Sequence, residues 1–182
     1  GAPSTQISVT DTSGNALENR YTITRTTGGN GWNSSAYSNE SYSMIQLSFK
    51  AGNTNTYRMM GISENPTTTT SYTGIDFAYY PRNNGSFNIY ESGANRGTFG
   101  NYDTNDVFYI WYYSTFGFVY YYFYDNSAGD YLLIRTVNVG TGKNFYLDSS
   151  FYSNNSDLVD VRVNNVAPGG QGPVGDINTD KG

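Results

Sequence analysis

Hydrophobic and polar positions alternate with a period of two in short runs along the chain, and each run ends near Gly, Asn, Asp or Pro. Side chains of a strand leave opposite faces in turn, so such runs predict strands with one face in a core. They fall at 6–10, 20–26, 42–50, 57–62, 74–80, 86–91, 96–100, 107–113, 118–124, 131–137, 144–147 and 158–163. Helical periodicity is nearly absent, and the short piece Ala16-Leu17-Glu18 reads better as a turn between strands. About a dozen short strands at this spacing predict an all-β fold, a two-sheet antiparallel jelly-roll sandwich. Asn83-Asn84-Gly85 tolerates positive φ and predicts a tight hairpin, with Ser92-Gly93-Ala94-Asn95 making the next.

The densest aromatic pattern is Tyr109-Ile110-Trp111-Tyr112-Tyr113 followed by Phe118-Val119-Tyr120-Tyr121-Tyr122-Phe123-Tyr124. With Phe108, Ile110, Val119, Tyr121 and Phe123 directed into a core, Tyr109, Trp111, Tyr113, Phe118, Tyr120 and Tyr122 share the other face. A face so rich in aromatics is a ligand platform, an oligomer interface or the second wall of a two-sided core. Sugar rings lay their apolar C–H faces on Trp and Tyr while phenol hydroxyls reach sugar oxygens, so the composition suits a glycan. It suits a trimer seam equally well. For glycan binding the candidate stacking residues are Tyr109, Trp111, Tyr120 and Tyr122, with Asn101, Asp103 and Asn126 as hydrogen-bonding groups on the rim.

Composition narrows the classes. Aromatics at 17% beside charged residues at 14% exclude the disorder signature, so the chain is expected to fold. Its length suits one sandwich domain over residues 1–166 and a Gly/Pro-rich tail over 167–182. Basic residues are scattered singly in a chain of net charge −5, which argues against a nucleic-acid partner. No run of apolar residues is long enough to insert in a membrane. The opening Gly1-Ala2-Pro3-Ser4 lacks the basic and apolar regions of a secretion signal, as expected of a processed secreted chain or a virion protein. The expected location is extracellular, on a cell surface or a virion surface.

The chain has no Cys and no His, which removes disulfides, thiolate nucleophiles, the commonest general base and the commonest metal ligand. Glycoside hydrolysis needs two carboxylates across a cleft, and no Glu-x-Asp-x-Glu arrangement occurs. Glu91 precedes a hairpin and is expected to cap backbone or to pair with Arg96. No catalytic residue and no enzyme activity are therefore expected. Calcium is the one cofactor with suitable oxygen donors, at Asp103, Asn105 and Asp106 and at Asp125, Asn126 and Asp130, yet neither group completes a calcium-loop pattern. Asx-turns account for such residues without metal. Asn33-Ser34-Ser35, Asn39-Glu40-Ser41, Asn84-Gly85-Ser86 and Asn154-Asn155-Ser156 match the N-glycosylation pattern, informative only in a eukaryotic host.

In the tail, Gly169, Gly172 and Gly175 keep the three-residue period of a collagen triple helix, and the phase breaks at Asn178. A flexible Gly/Pro linker explains the same residues; a collagen-like segment would impose a homotrimer.

Further motifs run in order along half the chain: Gly61-Ile62-Ser63, Ile75-Asp76-Phe77-Ala78-Tyr79 and Phe87-Asn88-Ile89-Tyr90-Glu91-Ser92-Gly93. Gly97-Thr98-Phe99-Gly100-Asn101-Tyr102, Asp106-Val107-Phe108-Tyr109-Ile110, Val119-Tyr120-Tyr121 and Phe145-Tyr146-Leu147-Asp148 follow. In this order they resemble the concanavalin A-like lectin/glucanase superfamily, in particular jelly-roll modules of bacterial surface proteins and of viral or phage fibres. The resemblance implies a two-sheet jelly roll whose concave face binds glycans in many relatives. Two features depart from it: Asn105 stands where relatives carry Gly, and both sides of the next two strands are aromatic. The expected function is an extracellular carbohydrate-binding or adhesion module, with a structural fibre knob as the alternative.

Overall fold

In the computed structural model, which describes residues 6–12, 20–164 and 177–179, every expected strand is present. In chain order they are β1 (Ile7–Asp11), β2 (Tyr21–Arg25), β3 (Tyr37–Ser38), β4 (Met44–Ala51), β5 (Arg58–Ser63), β6 (Phe77–Pro81) and β7 (Ser86–Glu91). There follow β8 (Ala94–Asn101), β9 (Val107–Tyr113), β10 (Phe118–Asp125), β11 (Asp130–Asn138), β12 (Tyr146–Phe151), β13 (Asp157–Val163) and β14 (Ile177–Asn178). Two antiparallel sheets result, a first in the order β1-β2-β13-β4-β9-β10-β11 and a second in the order β14-β3-β12-β5-β6-β7-β8. The alternating residues of β4 show the cause: Ile45, Leu47, Phe49 and Ala51 are buried between the sheets while Gln46, Ser48 and Lys50 face outward.

The two-residue strands β3 and β14 carry too little pattern to be seen in sequence. The strand expected at 144–147 runs on to Phe151, because Asp148, Ser149 and Ser150 are fully buried with their polar groups satisfied. The Ser63 hydroxyl donates to Asp148, the Ser149 hydroxyl to the Ala36 carbonyl and the Ser150 hydroxyl to the Thr70 carbonyl. The strand expected from residue 74 starts later, after a 3-10 turn at Tyr72–Gly74. The expected turn at Ala16-Leu17-Glu18 and the glycine-spaced stretch through Gly175 lie outside the described residues. Ile177 and Asn178 pair with Ser38 and Tyr37 at the edge of the second sheet.

Close approach and turns need glycine at particular points. A Cβ on Gly61 would sit 1.7 Å from the Phe77 carbonyl oxygen, so β5 and β6 come together only without one. The Asn83-Asn84-Gly85 hairpin forms as expected, with Gly85 at φ +78.

Polar contacts join the two sheets. The Glu91 carboxylate, 6% exposed, accepts from Arg96 as expected, and also from Arg135 of β11 and the Tyr121 hydroxyl of β10. The Tyr79 hydroxyl donates to the Tyr122 carbonyl at 2.9 Å. Burial pushes both the Tyr79 and Tyr121 phenols well above their ordinary range, with the Glu91 charge adding at Tyr121. In the unfolded chain these phenols ionise near pH 10, so above about that pH the folded state holds more protons and stability falls. Below it the contribution is complete. The melting temperature is expected to stay flat up to about pH 9.5 and to drop steadily beyond it. A melting temperature unchanged at about pH 11 would contradict the assignment of these buried neutral phenols.

Candidate functional site

β9 and β10 pair so that Tyr109 faces Tyr122, Trp111 faces Tyr120 and Tyr113 faces Phe118. Phe108, Ile110, Tyr112, Val119, Tyr121 and Phe123 go inward and are buried, while the other set stays partly exposed on the outer face of the first sheet. The hairpin closes at Gly117, at φ +78, where a Cβ would meet the Gly140 backbone at 2.7 Å.

Register extends the aromatic rows across the sheet. Arg162, Ser48, Tyr109, Tyr122 and Leu133 lie in one row, on β13, β4, β9, β10 and β11 in turn. Gln46, Trp111 and Tyr120 form the next. The face thus grades from polar β13 and β4, through the aromatic hairpin, to the edge strand β11, where Tyr131 and Leu133 are 67% and 56% exposed and Leu132, 44% exposed, turns to the other side opposite Phe123. In β13 the register slips between Val159 and Arg162, with Asp160 at φ +51. This bulge sets Asp160 beside Arg162 at 3.1 Å and Arg20 at 2.9 Å.

Tyr109 and Trp111 stand between two hollows. One, of about 340 Å³, has Gln46, Ser48, Lys50, Asp160 and Arg162 on its polar side. The other, of about 220 Å³, is walled by Tyr122 and Tyr131. The Trp111 and Tyr122 rings are 5.0 Å apart, and Tyr109 lies 6.0 Å from Tyr131. The Gln46 amide donates to the Tyr113 hydroxyl, which pins one wall. Burial, with Tyr131 alongside, pushes the Tyr109 phenol up to about 12, so it stays a neutral hydroxyl at physiological pH.

Tyr109, Trp111 and Tyr122 are therefore brought together, and Tyr120 stacks on Tyr122 at 6.3 Å without lining either hollow. Asn101 and Asp103 line a separate hollow of about 250 Å³ formed with Asp106 and Asp125. Asn126 joins that region through its backbone N–H, which donates to Asp106 Oδ1 at 2.9 Å, and the other Asp106 oxygen accepts from the Asp103 N–H. The Asn105 N–H donates to Asp103 and the Ala128 N–H to Asp125, the bonding of Asx-turns. Among the described residues no group of three or more acidic side chains is placed to hold a metal ion.

Sequence reasoning missed Gln46, Ser48, Lys50, Asp160, Arg162 and Tyr131 as parts of the site. The outward set of β4 was readable from its alternation; that β4 lies next to β9, with β13 beyond it, was not, because strand order leaves no local mark.

No protein-family model matches the sequence, and no curated protein matches it. Among solved structures, the TRIM65 PSpry domain superposes with a TM-score of 0.56 at 9% identity, over 86% of this chain and 91% of that one. The likeness is one of fold. The chain is a two-sheet antiparallel jelly-roll sandwich. Lectin II from Ulex europaeus is also similar, with a TM-score of 0.41 at 11% identity over 89% of this chain and 92% of the lectin. So is the exoplasmic/lumenal domain of VIP36, solved in a Ca2+/Man2-bound form, with a TM-score of 0.45 at 7% identity over 79% and 70% of the two chains.

The opposite roles of neighbouring residues are testable by paired substitution. Tyr121→Ala is expected to destabilise the fold by about 3–5 kcal/mol, and Tyr120→Ala by ~1 kcal/mol or less, in chemical denaturation. Equal losses would contradict the two-sided assignment.

Proposed function

We propose that this chain is a non-catalytic, extracellular carbohydrate-binding and adhesion module that holds a surface glycan on the outer face of its first sheet. The observation that carries the reading is the position of Tyr109 and Trp111 as a wall shared by a polar hollow and an aromatic one. A sugar ring stacked on Trp111 or Tyr122 has phenol hydroxyls at its edge, and Gln46, Ser48, Lys50 and Arg162 within the same stretch of sheet. Asn101, Asp103 and Asn126 lie at the β8–β9 and β10–β11 turns, where they meet the continuation of a longer chain rather than its first ring. The expected place of work is outside the cell, on a cell or virion surface.

A glycan array tests this directly. The unmodified protein is expected to bind a defined set of glycans, and Trp111→Ala to bind them about tenfold or more weakly, matching ~1.5 kcal/mol of lost stacking, with its melting temperature unchanged. Full binding by Trp111→Ala would refute the site.

A second reading, a structural knob of a fibre, is favoured by the edge strand β11, whose Tyr131, Leu132 and Leu133 expose a contiguous apolar stretch. The collagen-like period that would impose a trimer lies outside the described residues. Sedimentation separates the readings: the knob requires self-association that Leu133→Lys abolishes, and a monomer at high concentration removes it.

A further inference from the structure

We infer that the second sheet carries a second saccharide site, independent of the first and selective for a sugar bearing a carboxylate. A hollow of about 420 Å³ opens on its outer face. Three walls come from loops: Trp32 after β2, Tyr57 before β5 and Tyr152 after β12. Two more come from strands, Tyr80 on β6 and Tyr90 on β7. Trp32 packs 5.5 Å from Tyr80 and 5.3 Å from Tyr152, and Tyr80 lies 5.4 Å from Tyr90. The polar groups of the hollow are Arg82, Asn88 and Asn95.

Asn88 is 3% exposed, and its Oδ1 has no hydrogen-bond donor. Its orientation follows from its neighbour. The Gly97 N–H donates to Asn95 Oδ1 at 2.9 Å, which fixes that atom as an acceptor. Asn88 must then offer Nδ2 to it, at 3.2 Å, because a flipped amide would set two oxygens against each other. An acceptor without a donor is left in the wall of an aromatic hollow, and buried polar groups are seldom left so. The oxygen is itself closed to solvent, so a sugar hydroxyl supplies the missing donor by entering as the flanking rings shift.

Arg82 gives the charge preference. Its guanidinium lies beside the Tyr80 hydroxyl, and no carboxylate of the described residues pairs with it or lines the hollow. A planar cation without a counter-ion, next to stacked rings, suits an anionic group carried on a stacking sugar.

The hollow is held from beneath by two fully buried arginines. Arg25 donates to the Gly31 and Tyr152 carbonyls, which fixes the loop bearing Trp32 and the residue Tyr152 itself. Arg58 donates to the Thr56 and Pro81 carbonyls, next to Tyr57 and Arg82. An aromatic cluster that served only to fasten loops would need neither the unpaired Arg82 nor the donorless Asn88.

The chain has two tryptophans, one at each site, so each reports its own occupancy. In Trp111→Phe protein the emission of Trp32 is to be followed while methyl glucuronide, methyl galacturonide and N-acetylneuraminate are added, each beside a neutral methyl glycoside. At least one acidic sugar is expected to give a saturable change, with about tenfold weaker response to the neutral sugar and loss of that difference in Arg82→Gln. Silence of Trp32 toward all three acidic sugars in folded protein overturns the proposal, as does equal response to acidic and neutral sugars. The array-selected glycan, added to Trp32→Phe protein, reads the first site through Trp111 alone, so either site can fail without the other.

Discussion

Side chains of a β-strand leave alternate sides, and in β9 and β10 both sides are aromatic. The inner side is already full: Phe108 packs against Phe49, Tyr79, Phe87 and Phe123, and Tyr121 against Tyr79, with ring centroids 4.9 to 5.4 Å apart. The outer aromatics have no room in that core and no second layer over them among the described residues. A one-residue slip of register would exchange the two sets and place Tyr120 and Trp111 inside, so the filled interior is what holds the outer set in place. The exposed aromatic face is in this sense a by-product of a core that tolerates one register.

With no cysteine to staple the loops, hydrogen-bonded charge does that work. Arg58 spreads its guanidinium over the Thr56, Pro81 and Asp157 carbonyls and the Tyr102 hydroxyl, and Arg25 reaches the Thr27, Gly31 and Phe151 carbonyls. Glu91 joins two arginines and Tyr121 near the edges of both sheets. Arg25, Arg58 and Glu91 sit at the ends of β2, β5 and β7.

The strands and the two faces of the aromatic hairpin were legible in sequence because alternation is a local signal. Val107–Tyr113 was read to the residue, whereas β12 was cut short because Asp148-Ser149-Ser150 resembles a loop until its partners in β5 and the segment around Ala36 are known. The same limit applies to the site. Tyr109, Trp111 and Tyr122 could be placed on one face from their own spacing, but the polar half contributed by β4 and β13 depends on strand order and on a bulge at Asp160. Asn101, Asp103 and Asn126 were expected as hydrogen-bonding groups on the rim; Asn101 and Asp103 instead line a hollow of their own, and Asn126 reaches that region through its backbone N–H. The hollow on the second sheet was invisible in sequence, since Trp32, Tyr57 and Tyr152 stand far apart along the chain and only the fold assembles them.

The central claim is that the outer face of the first sheet meets the ligand through its aromatic rings. Heteronuclear NMR of the protein with its strongest-binding glycan tests it at single residues. The account requires the Trp111 indole and the Tyr109 and Tyr122 rings to shift together as the sugar is added, while the buried Tyr79 and Tyr112 stay still. A glycan that binds yet leaves the Trp111 indole unmoved would contradict it.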